Sequence, residues 1–453
     1  MNWATTFKEM KKVNPREIAL KILYEIETKS AFANELIELY YSRSKLSSLD
    51  RRFVRELVNG TTKLRRRLDY ILGFFLKDSI EELTFWIRNI LRLGLYQIEY
   101  LDRVPDRAAV DESVKLAKRF GHKGTVSLVN AVLRNYLRDK KRVTFPSREK
   151  DKVKAIGTIY SFQDWMIEEW LRQLGEEETI KLCEAFNQKA KLSLRLNSLK
   201  IDQKGVEIAL DMKKIKYRKG KFLENFYWIE SKIDLENLFL FQKGYIYPQD
   251  ESAGFPVLLL DPKPGEKVLD LCAAPGGKLT YMAEFLKNSG RLIALDLNPE
   301  RMEKLKGNCQ RLGVENISFQ IADAQSYSIE PVDKILIDAP CSGLGVLGRN
   351  SDARWQKKRE DIKRLAELQS TILFNAANLV KKDGVIVYTT CTLTQEENEK
   401  IISRFLEQRK DFKKESASDY LDSRVVNKSG FVRTYPHLQG LDGTFACRLK
   451  KIS

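Results

Sequence analysis

Sulfur and carboxylate side chains are the residues of this sequence that could carry out covalent or acid–base chemistry. The 453-residue chain has six cysteines but only two histidines, His122 and His437, so a mechanism built on several imidazoles is nearly excluded. No two cysteines have the C-x-x-C spacing of a structural zinc site, and we expect neither a metal ion nor a disulfide. The cysteines are Cys183, Cys272, Cys309, Cys341, Cys391 and Cys447.

Two of these cysteines directly follow segments that read as strands. Cys341 ends the run Asp338-Ala339-Pro340-Cys341, and Cys391 follows Thr390. Side chains that follow neighbouring parallel strands project into one crevice, so both thiols are expected there, beside the carboxyl of Asp338. A free thiol is more often a small buried hydrophobe, which is the interpretation we favour for Cys183, Cys272, Cys309 and Cys447.

A loop of small residues follows an earlier predicted strand. The loop Cys272-Ala273-Ala274-Pro275-Gly276-Gly277-Lys278 lets a ligand approach the backbone closely, and it opens a helix whose N-terminal amides attract negative charge. Asp296 ends the next strand, where it can accept hydrogen bonds from two ribose hydroxyls. Asp323 follows the third strand and either accepts from an adenine amino group or caps the following turn. These residues predict an adenosine ligand, without the G-x-G-x-x-G of a dehydrogenase.

The elements that position these residues begin at Gly265, where strand-like segments alternate with helical ones. Such alternation predicts a parallel sheet covered on both faces, with the ligand beyond the carboxyl ends of its strands. The predicted strands are Lys267–Leu271, Arg291–Asp296, Ile317–Ile321, Lys334–Asp338 and Gly384–Thr389, and the predicted helices are 277–288, 299–312, 358–381 and 395–408.

The N-terminal third reads as helical throughout. Ile18, Ile22 and Ile26 repeat at helical spacing, and Pro105-Asp106 and 120–124 are predicted turns. A polar stretch at 139–151 predicts a linker. We therefore expect an all-α domain at 1–140, a small α+β subdomain at 152–245 and an α/β domain at 246–453.

Positive charge is concentrated in this helical third. The chain carries a net charge of +17, and residues 1–150 alone hold 31 Lys and Arg against 19 Asp and Glu. Such a surplus favours a polyanionic partner, with nucleic acid first. The densest cluster, Lys63, Arg65, Arg66 and Arg67, is either a patch that faces phosphates, which we favour, or a solvated helix face.

Long apolar segments are missing from the sequence. The longest apolar run, Phe255–Leu260, has the length of a strand, well below the ~18 residues that cross a bilayer. The beginning of the chain is too charged for a secretory signal. We therefore expect a cytoplasmic protein that does not bind membranes.

The sequence from Gln249 to Leu449 resembles the bacterial RsmB (Sun, Fmu) family of 16S ribosomal RNA cytosine-C5 methyltransferases. Residues 14–138, with Val129-Asn130-Ala131-Val132-Leu133-Arg134, resemble the NusB-type helical RNA-binding domain that this family carries in front. The motifs behind the first resemblance are the loop at 272–278, Gln249-Asp250-Glu251-Ser252, Asp338-Ala339-Pro340-Cys341-Ser342-Gly343, Thr390-Cys391 and Asp442-Gly443.

This resemblance implies a fold: a NusB-like domain, a small α+β subdomain that contacts RNA, and a Rossmann-like S-adenosylmethionine-dependent methyltransferase domain. It also implies that Cys391 adds to C6 of the cytosine, that Asp338 bonds the N3/N4 edge, and that Cys341 assists release. Thiolate addition at C6 makes C5 nucleophilic. The implied cofactor contacts are the loop at 272–278, Asp296 on the ribose, Asp323 near adenine and Asp338 near the methionine amino group.

Activation of Cys391 needs positive charge nearby, because a thiol with a pKa of ~8.5 is only a few per cent thiolate at neutral pH. Lys278 and the cofactor's sulfonium are the candidates. The chain departs from the family at Thr389 and Thr392, where serine is frequent. It departs again after the proline–cysteine motif, where a basic pair and His-Pro-Asp are replaced by a run that contains Arg349, which we expect to contact RNA.

The sequence favours three other functions less. An exocyclic-amine methyltransferase needs no thiol, so Cys341 argues against it. A transfer-RNA cytosine methyltransferase shares the catalytic motifs, and the NusB-like domain favours ribosomal RNA instead. An RNA-binding assembly factor with a vestigial cofactor site is disfavoured by the intact loop, acids and thiols. The expected partner is 16S ribosomal RNA, bound by a monomer.

Overall fold

The computed structural model of the protein describes residues 14–453, which form two units. The first unit runs through Asn187 and also contains Arg349–Lys357, whereas the second contains Gln188–Gly348 and Lys358–Ser453. Residues 152–187, which we assigned to the middle subdomain, therefore lie in the first unit. No helix within 14–453 combines the length and the apolar character needed to cross a membrane.

Helices build the first unit, as the apolar spacing predicts. Ile18, Ile22 and Ile26 form the buried face of its first helix and join one continuous core. Short 3-10 turns at Ile80–Glu82 and Lys140–Arg142 lie between helices. The helices are α1 Pro15–Lys29, α2 Ala33–Ser42, α3 Ser48–Lys63, α4 Arg65–Gly73, α5 Phe85–Tyr100, α6 Asp106–Phe120, α7 Lys123–Arg138, α8 Lys152–Tyr160 and α9 Asp164–Asn187, the last broken at Gly175.

A small antiparallel sheet opens the second unit. Its strands are β1 Leu192–Leu196, β2 Tyr217–Lys219, β3 Phe226–Ile229 and β4 Ile246–Pro248, in the order β2-β3-β1-β4, with helices α10 Gln203–Met212 and α11 Phe239–Gln242. Alternation in β1 places Leu194 in the core of this sheet and Arg195 on the other face. Arg195 is fully buried, and the cost of burying its charge is offset by its ion pair with Glu284 at 2.9 Å and its hydrogen bond to the Gly277 carbonyl at 2.6 Å.

An eight-stranded mixed sheet forms the rest of the second unit, in the order β10-β12-β9-β8-β5-β6-β7, with β11 paired to β12. Strands β5 to β9 are parallel, as predicted, and β10 to β12 add an antiparallel edge that the sequence patterns did not indicate. The strands are β5 Lys267–Asp270, β6 Arg291–Asp296, β7 Ile317–Ile321, β8 Val332–Asp338, β9 Val380–Thr390, β10 Phe412–Glu415, β11 Val432–Arg433 and β12 Phe445–Lys451.

Helices cover this sheet. The apolar run with the length of a strand is in fact a helix, α12, which has Pro256 in its first turn. Short 3-10 turns occur at Glu251–Gly254, Ala417–Asp419 and Ser423–Val425. The remaining helices are α13 Gly277–Leu286, α14 Pro299–Leu312, α15 Ala353–Gln356 (in the first unit), α16 Arg359–Leu379, α17 Glu399–Gln408 and α18 Pro436–Gln439, with α12 at Phe255–Leu260.

Candidate active site

Strands β8 and β9 bring the two predicted thiols together. The strands are adjacent and parallel, with Asp338 opposite Thr389, so both loops leave the same edge of the sheet. The Sγ atoms of Cys341 and Cys391 lie 3.2 Å apart, and both residues are half-buried. This geometry places two sulfur atoms at one point of the crevice beyond the strand ends.

Backbone contacts fix the two cysteine loops against each other. The Gly345 amide donates to the Cys391 carbonyl at 2.8 Å, and the Gly443 amide donates to the Gly345 carbonyl at 2.9 Å. A Cβ at Gly345 would lie 2.2 Å from the Gly443 oxygen, so only glycine allows this approach. The Asp442-Gly443 motif therefore contributes a third chain segment to the site.

Asn398 supports the loop that carries Cys391, although the sequence patterns gave it no role. Its side-chain oxygen accepts from Thr390 Oγ1 at 2.6 Å, and its amide donates to the Thr392 carbonyl at 3.1 Å. These contacts hold the residues on either side of Cys391. The sequence predicts a helix over 395–408, but α17 begins only at Glu399, so Asn398 lies in the turn that precedes it and contacts the loop that carries Cys391.

Lys278 and Asp338 form an ion pair of 2.6 Å at the same edge of the sheet. Burial lowers the pKa of Lys278, but the negative charges of Asp338, Cys391 and Asp270 outweigh burial, so the pKa is raised. The ammonium group therefore stays positive next to the Asp338 carboxyl. Its role as a source of positive potential for Cys391 stays a prediction.

The cofactor loop is held by the strand that follows it. The Asp296 carboxylate accepts from the Ala274 amide at 3.1 Å and from the Asn298 amide at 3.0 Å. Gly276 has φ 108°, and a Cβ there would lie 2.4 Å from Leu305, so the loop has no room for a side chain. Asp296 is thus buried beside the loop, where a ligand against the backbone would meet it.

Asp323 caps the turn that follows β7, which is the second of the two interpretations that the sequence allows. Its side chain accepts from the Gln325 amide at 2.9 Å, and the residue remains half-buried. Cys272 packs under the loop, and burial raises its pKa well above the ordinary value. Its place under the loop is consistent with the small, packed residue that the sequence predicts.

Asp270, at the end of β5, is an acid that the sequence patterns did not single out. It is buried, its Oδ1 accepts from the Cys272 amide at 3.2 Å, and its Oδ2 has no hydrogen-bond partner within 14–453. Burial, with help from the charge of Asp338, raises its pKa to about 8. An unpartnered buried carboxyl oxygen among other carboxylates fits a cationic ligand and would repel a pyrophosphate.

The basic cluster of the first unit has protein partners. Arg66 donates to the Phe162 carbonyl at 2.7 Å and pairs with Asp164 at 2.6 Å, while Arg67 donates to the Ile159 carbonyl at 2.8 Å. Arg65 stacks on Trp355 at 4.4 Å, and burial lowers the pKa of Lys63 to about 8. Arg349 is half-buried in the same unit. These contacts favour a packing role for the cluster, and its contact with RNA stays a prediction.

The fold and the site define a Rossmann-like methyltransferase domain: a largely parallel sheet, a small-residue loop after one strand and acids at the next strand ends. Family models match three parts of the chain: the 16S rRNA methyltransferase RsmB/F at 257–450, the NusB family at 13–138, and the ferredoxin-like domain of RsmF/B-like methyltransferases at 162–236. The chain belongs to the RsmB/F family of 16S ribosomal RNA methyltransferases.

Curated relatives support this membership over the full length. The probable ribosomal RNA small subunit methyltransferase B of Bacillus subtilis is 37% identical, with 98% of this chain and 100% of the relative covered. The protein of the same name from Synechocystis is 36% identical over 97% and 100%. A solved methyltransferase homologue from Pyrococcus horikoshii is 26% identical, with a TM-score of 0.59 over 67% of this chain and 99% of that one.

Proposed function

We propose that the protein transfers a methyl group from S-adenosylmethionine to C5 of a cytosine in 16S ribosomal RNA through a covalent cysteine–C6 adduct. The 3.2 Å approach of Cys341 and Cys391 at the edge that holds Asp338 carries the proposal. A methyltransferase of exocyclic amines has no use for such a pair, since an amine nitrogen is already nucleophilic. The enzyme would act as a monomer in the cytoplasm, where ribosomes assemble.

We assign the cofactor to the loop at 272–278. When bound, S-adenosylmethionine supplies an electrophilic methyl group on a positively charged sulfur. The acidic strand ends offset that charge, and the unpartnered oxygen of Asp270 gives this site its preference for a cation. Asp296 binds the ribose, Asp323 lies near the adenine, and Asp338 lies near the methionine amino group.

We assign the chemical steps to three side chains. The Cys391 thiolate forms a bond to C6, and the electron pair displaced from the C5–C6 double bond makes C5 the nucleophile. Asp338 bonds the N3/N4 edge and shares the proton at N3, which stabilises the charge that develops on the ring. After methylation the C5 proton passes to water, the electron pair of the C5–H bond re-forms the C5–C6 double bond, and the C6–S bond breaks to release the Cys391 thiolate. We assign assistance in this step to Cys341, whose thiol can donate a hydrogen bond to the departing sulfur.

Two neighbouring groups support Cys391 as the nucleophile. The hydrogen bond to Cys391, then burial, raises the pKa of Cys341 well above its ordinary value, so Cys341 is the thiol suited to hold its proton. The Lys278 ammonium group is held at the same edge of the sheet by its ion pair with Asp338. A donated thiol proton and an ammonium group both stabilise a thiolate, and this chain has no histidine in the site to do so.

The nucleophile is tested with Cys391→Ser, bare 16S RNA and labelled S-adenosylmethionine. We expect the methylation rate to fall more than about 100-fold, because a serine hydroxyl is a poor nucleophile at neutral pH. Cys183→Ala, at a buried thiol of the first unit, is the matched control and should retain activity. Label retained in 5-methylcytidine would contradict the assignment, and label in N4-methylcytidine or in transfer RNA would redirect the function.

The release role is tested with Cys341→Ala. Addition and methyl transfer do not require Cys341 in this scheme, whereas release does, so we expect a protein–RNA adduct that survives denaturant. The adduct is measured by gel electrophoresis with labelled RNA, and it should disappear in the double variant with Cys391→Ser. An inactive Cys341→Ala protein that forms no adduct would remove Cys341 from the release step.

A further inference from the structure

A buried glutamate, Glu397, ties the two cysteine loops together. It lies in the turn between β9 and α17 and has no exposed surface. One carboxylate oxygen accepts from the Ser342 amide at 2.8 Å, and the other accepts from the Ser342 hydroxyl at 2.6 Å. Thr392 Oγ1 lies 2.6 Å from the same hydroxyl and 3.3 Å from the carboxylate. Ser342 directly follows Cys341 and Thr392 directly follows Cys391, so the tie adjoins both thiols.

The residue before Cys341 is held by the same network. Gln369, which is buried on α16, donates from Nε2 to the Pro340 carbonyl at 2.9 Å and to Glu397 at 3.0 Å. Asn398, the next residue along the chain, holds the residues on either side of the other cysteine. These three side chains therefore form one buried polar cluster that contacts both neighbours of each cysteine.

The Cys341 loop needs such contacts, because its own backbone does little to fix it. Gly343 has φ 72°, a left-handed conformation that glycine adopts readily, and Gly345 lies two residues further on. Glycines leave a loop many backbone conformations. The Gly345 amide bonds the Cys391 carbonyl at 2.8 Å, but the freedom of Gly343 lies between that bond and Cys341. The contacts of the cluster at the two neighbours of Cys341 are thus the ones that fix its position.

The distance between the two sulfur atoms matters for the proposed release step. The atoms lie 3.2 Å apart, within hydrogen-bond distance for sulfur. In that step the Cys341 thiol donates a hydrogen bond to the sulfur of Cys391 as it leaves C6, so the thiol has to stay within reach while a nucleotide is attached. Because a hydrogen bond weakens with distance and misalignment, a small shift of one loop would remove this assistance.

We propose that Glu397 is a positioning residue for the release step: it holds the Cys341 loop against the Cys391 loop, so that the Cys341 thiol stays within reach of the departing sulfur. This inference rests on the proposed function, in which Cys391 is the nucleophile and Cys341 assists release. Glu397 touches neither RNA nor cofactor in this scheme. It acts through the positions of the two loops and not through the ionisation of either thiol.

The first test measures the thiol pair directly, without RNA or cofactor. Phenylarsine oxide binds two thiols in one chelate with loss of water, and the chelate is tight only where both sulfur atoms are already close. We expect the full chain to bind one equivalent, seen by intact-protein mass spectrometry, and Glu397→Leu to bind at least about tenfold more weakly. Cys341→Ala gives the reference for complete loss of the chelate. Undiminished affinity in a folded Glu397→Leu chain would overturn the proposal.

The second test follows the covalent adduct. Glu397→Leu should accumulate a denaturant-resistant protein–RNA adduct, as expected for Cys341→Ala, because addition and methyl transfer proceed while release slows. Adding Glu397→Leu to Cys341→Ala should not slow release further, since Glu397 acts on release only through Cys341. A residue that merely stabilises the fold would lower methylation without an adduct. That outcome, or additive effects in the double variant, would contradict a positioning role.

A milder pair of variants decides the question where Glu397→Leu fails to fold. Ser342→Ala and Thr394→Val each delete one hydroxyl that donates to the same Glu397 oxygen, at 2.6 Å and 2.8 Å respectively. Only Ser342 adjoins a cysteine. Ser342→Ala should therefore weaken arsenical binding and slow release, whereas Thr394→Val should change neither. Equal effects of the two substitutions would overturn the proposal.

Two outcomes separate this inference from the proposed function. An adduct in Cys341→Ala, but none in a folded Glu397→Leu chain, would end this inference alone and leave the proposed function intact. Methylation that persists in Cys391→Ser would end the proposed function, and the release role of Glu397 with it, whatever arsenical binding shows about the thiol pair.

Discussion

The charged side chains of the candidate active site lie close to one another in specific pairs, which a count of acids and bases in the sequence does not reveal. Lys278 bonds Asp338 at 2.6 Å, and Asp270 lies close enough for the charge of Asp338 to raise its pKa. One ammonium group thus lies near two carboxyls, and the pKa of Asp270 stays raised. A positively charged ligand beside Asp270 would favour its ionised form.

Asp270→Asn tests this at the residue scale. The folded pKa of about 8 exceeds the ordinary 3.8, so the folded state retains a proton that the unfolded state releases, and stability falls as pH rises from about 4 to 8. Removing the titration should stabilise the ligand-free protein by up to about 5 kcal/mol at pH 8, with little effect near pH 4. Urea unfolding at the two pH values, with hydrogen exchange at β5, measures the difference.

The exposed carboxyl of Asp383 on β9 provides the control for this prediction. Asp383→Asn should change stability equally at both pH values. The same Asp270→Asn substitution should weaken the binding of S-adenosylmethionine, because the cation loses a carboxylate. Equal stability changes at pH 4 and pH 8 in Asp270→Asn would show that its carboxyl titrates normally.

The sequence predicts some residues of the candidate active site and misses others. Cys341, Cys391 and Asp338 were predictable because each ends or follows a strand, and parallel strands end at one edge. The buried Glu397, which accepts hydrogen bonds from the residues after both cysteines, was not, since these bonds join segments 55 residues apart in the chain. Asp323 follows β7, as the sequence predicts, but the sequence does not distinguish a contact with a ligand from a cap of the following turn.

At the scale of helices and strands, the strands with apolar runs could be predicted from the sequence, whereas the antiparallel edge strands β10 to β12 could not. β5, β6, β7 and β8 lie within two residues of their predicted bounds. β5, β6 and β8 are central parallel strands with both faces buried, which gives them apolar runs, whereas β7 is the last strand of the sheet and is at most half-buried. β10 and β12 mix apolar residues with lysines, and their pairing depends on an antiparallel partner far along the chain.

One segment belongs to the first unit although, in the sequence, it lies between two parts of the second unit. The segment Arg349–Lys357 follows the Cys341 loop in the chain but packs in the helical unit through Arg354. The Arg354 guanidinium is fully buried and donates to Asn187 Oδ1 at 2.7 Å and to the carbonyls of Phe186, Lys63 and Ser161 at 3.1–3.3 Å.

These acceptors lie at the C-terminal ends of α9, α3 and α8. Helix C-termini leave carbonyls unsatisfied and carry partial negative charge, so one cation serves three helices. Burial lowers the pKa of Arg354 to about 9, which is still high enough to keep it charged at neutral pH. Arginine in this position explains why a short polar run, which the sequence presents as a loop, is an ordered part of the first unit.

At the scale of the whole molecule, the net charge of +17 indicates a polyanionic partner but does not locate its binding surface. The densest basic cluster was the natural prediction. Arg66 and Arg67 instead bond residues 159–164, which a local count of charges could not reveal because the partners come more than 90 residues later. The density of positive charge indicates that the unit as a whole attracts RNA. The tertiary contacts decide which individual arginines are exposed and could bind phosphates.

The double variant Arg66→Ala and Arg67→Ala separates these two uses of the cluster. If the arginines pack α4 against α8 and α9, the first unit should lose about 1–3 kcal/mol of stability for each arginine, seen as faster hydrogen exchange in α4 and α8 of the full chain. The slope of log affinity for 16S RNA against log salt should then stay unchanged. The exposed pair Lys123→Ala and Lys141→Ala removes the same charge without those contacts and is the control. A slope flatter by roughly 0.7–0.9 for each arginine, with unchanged exchange, would instead assign both side chains to phosphates.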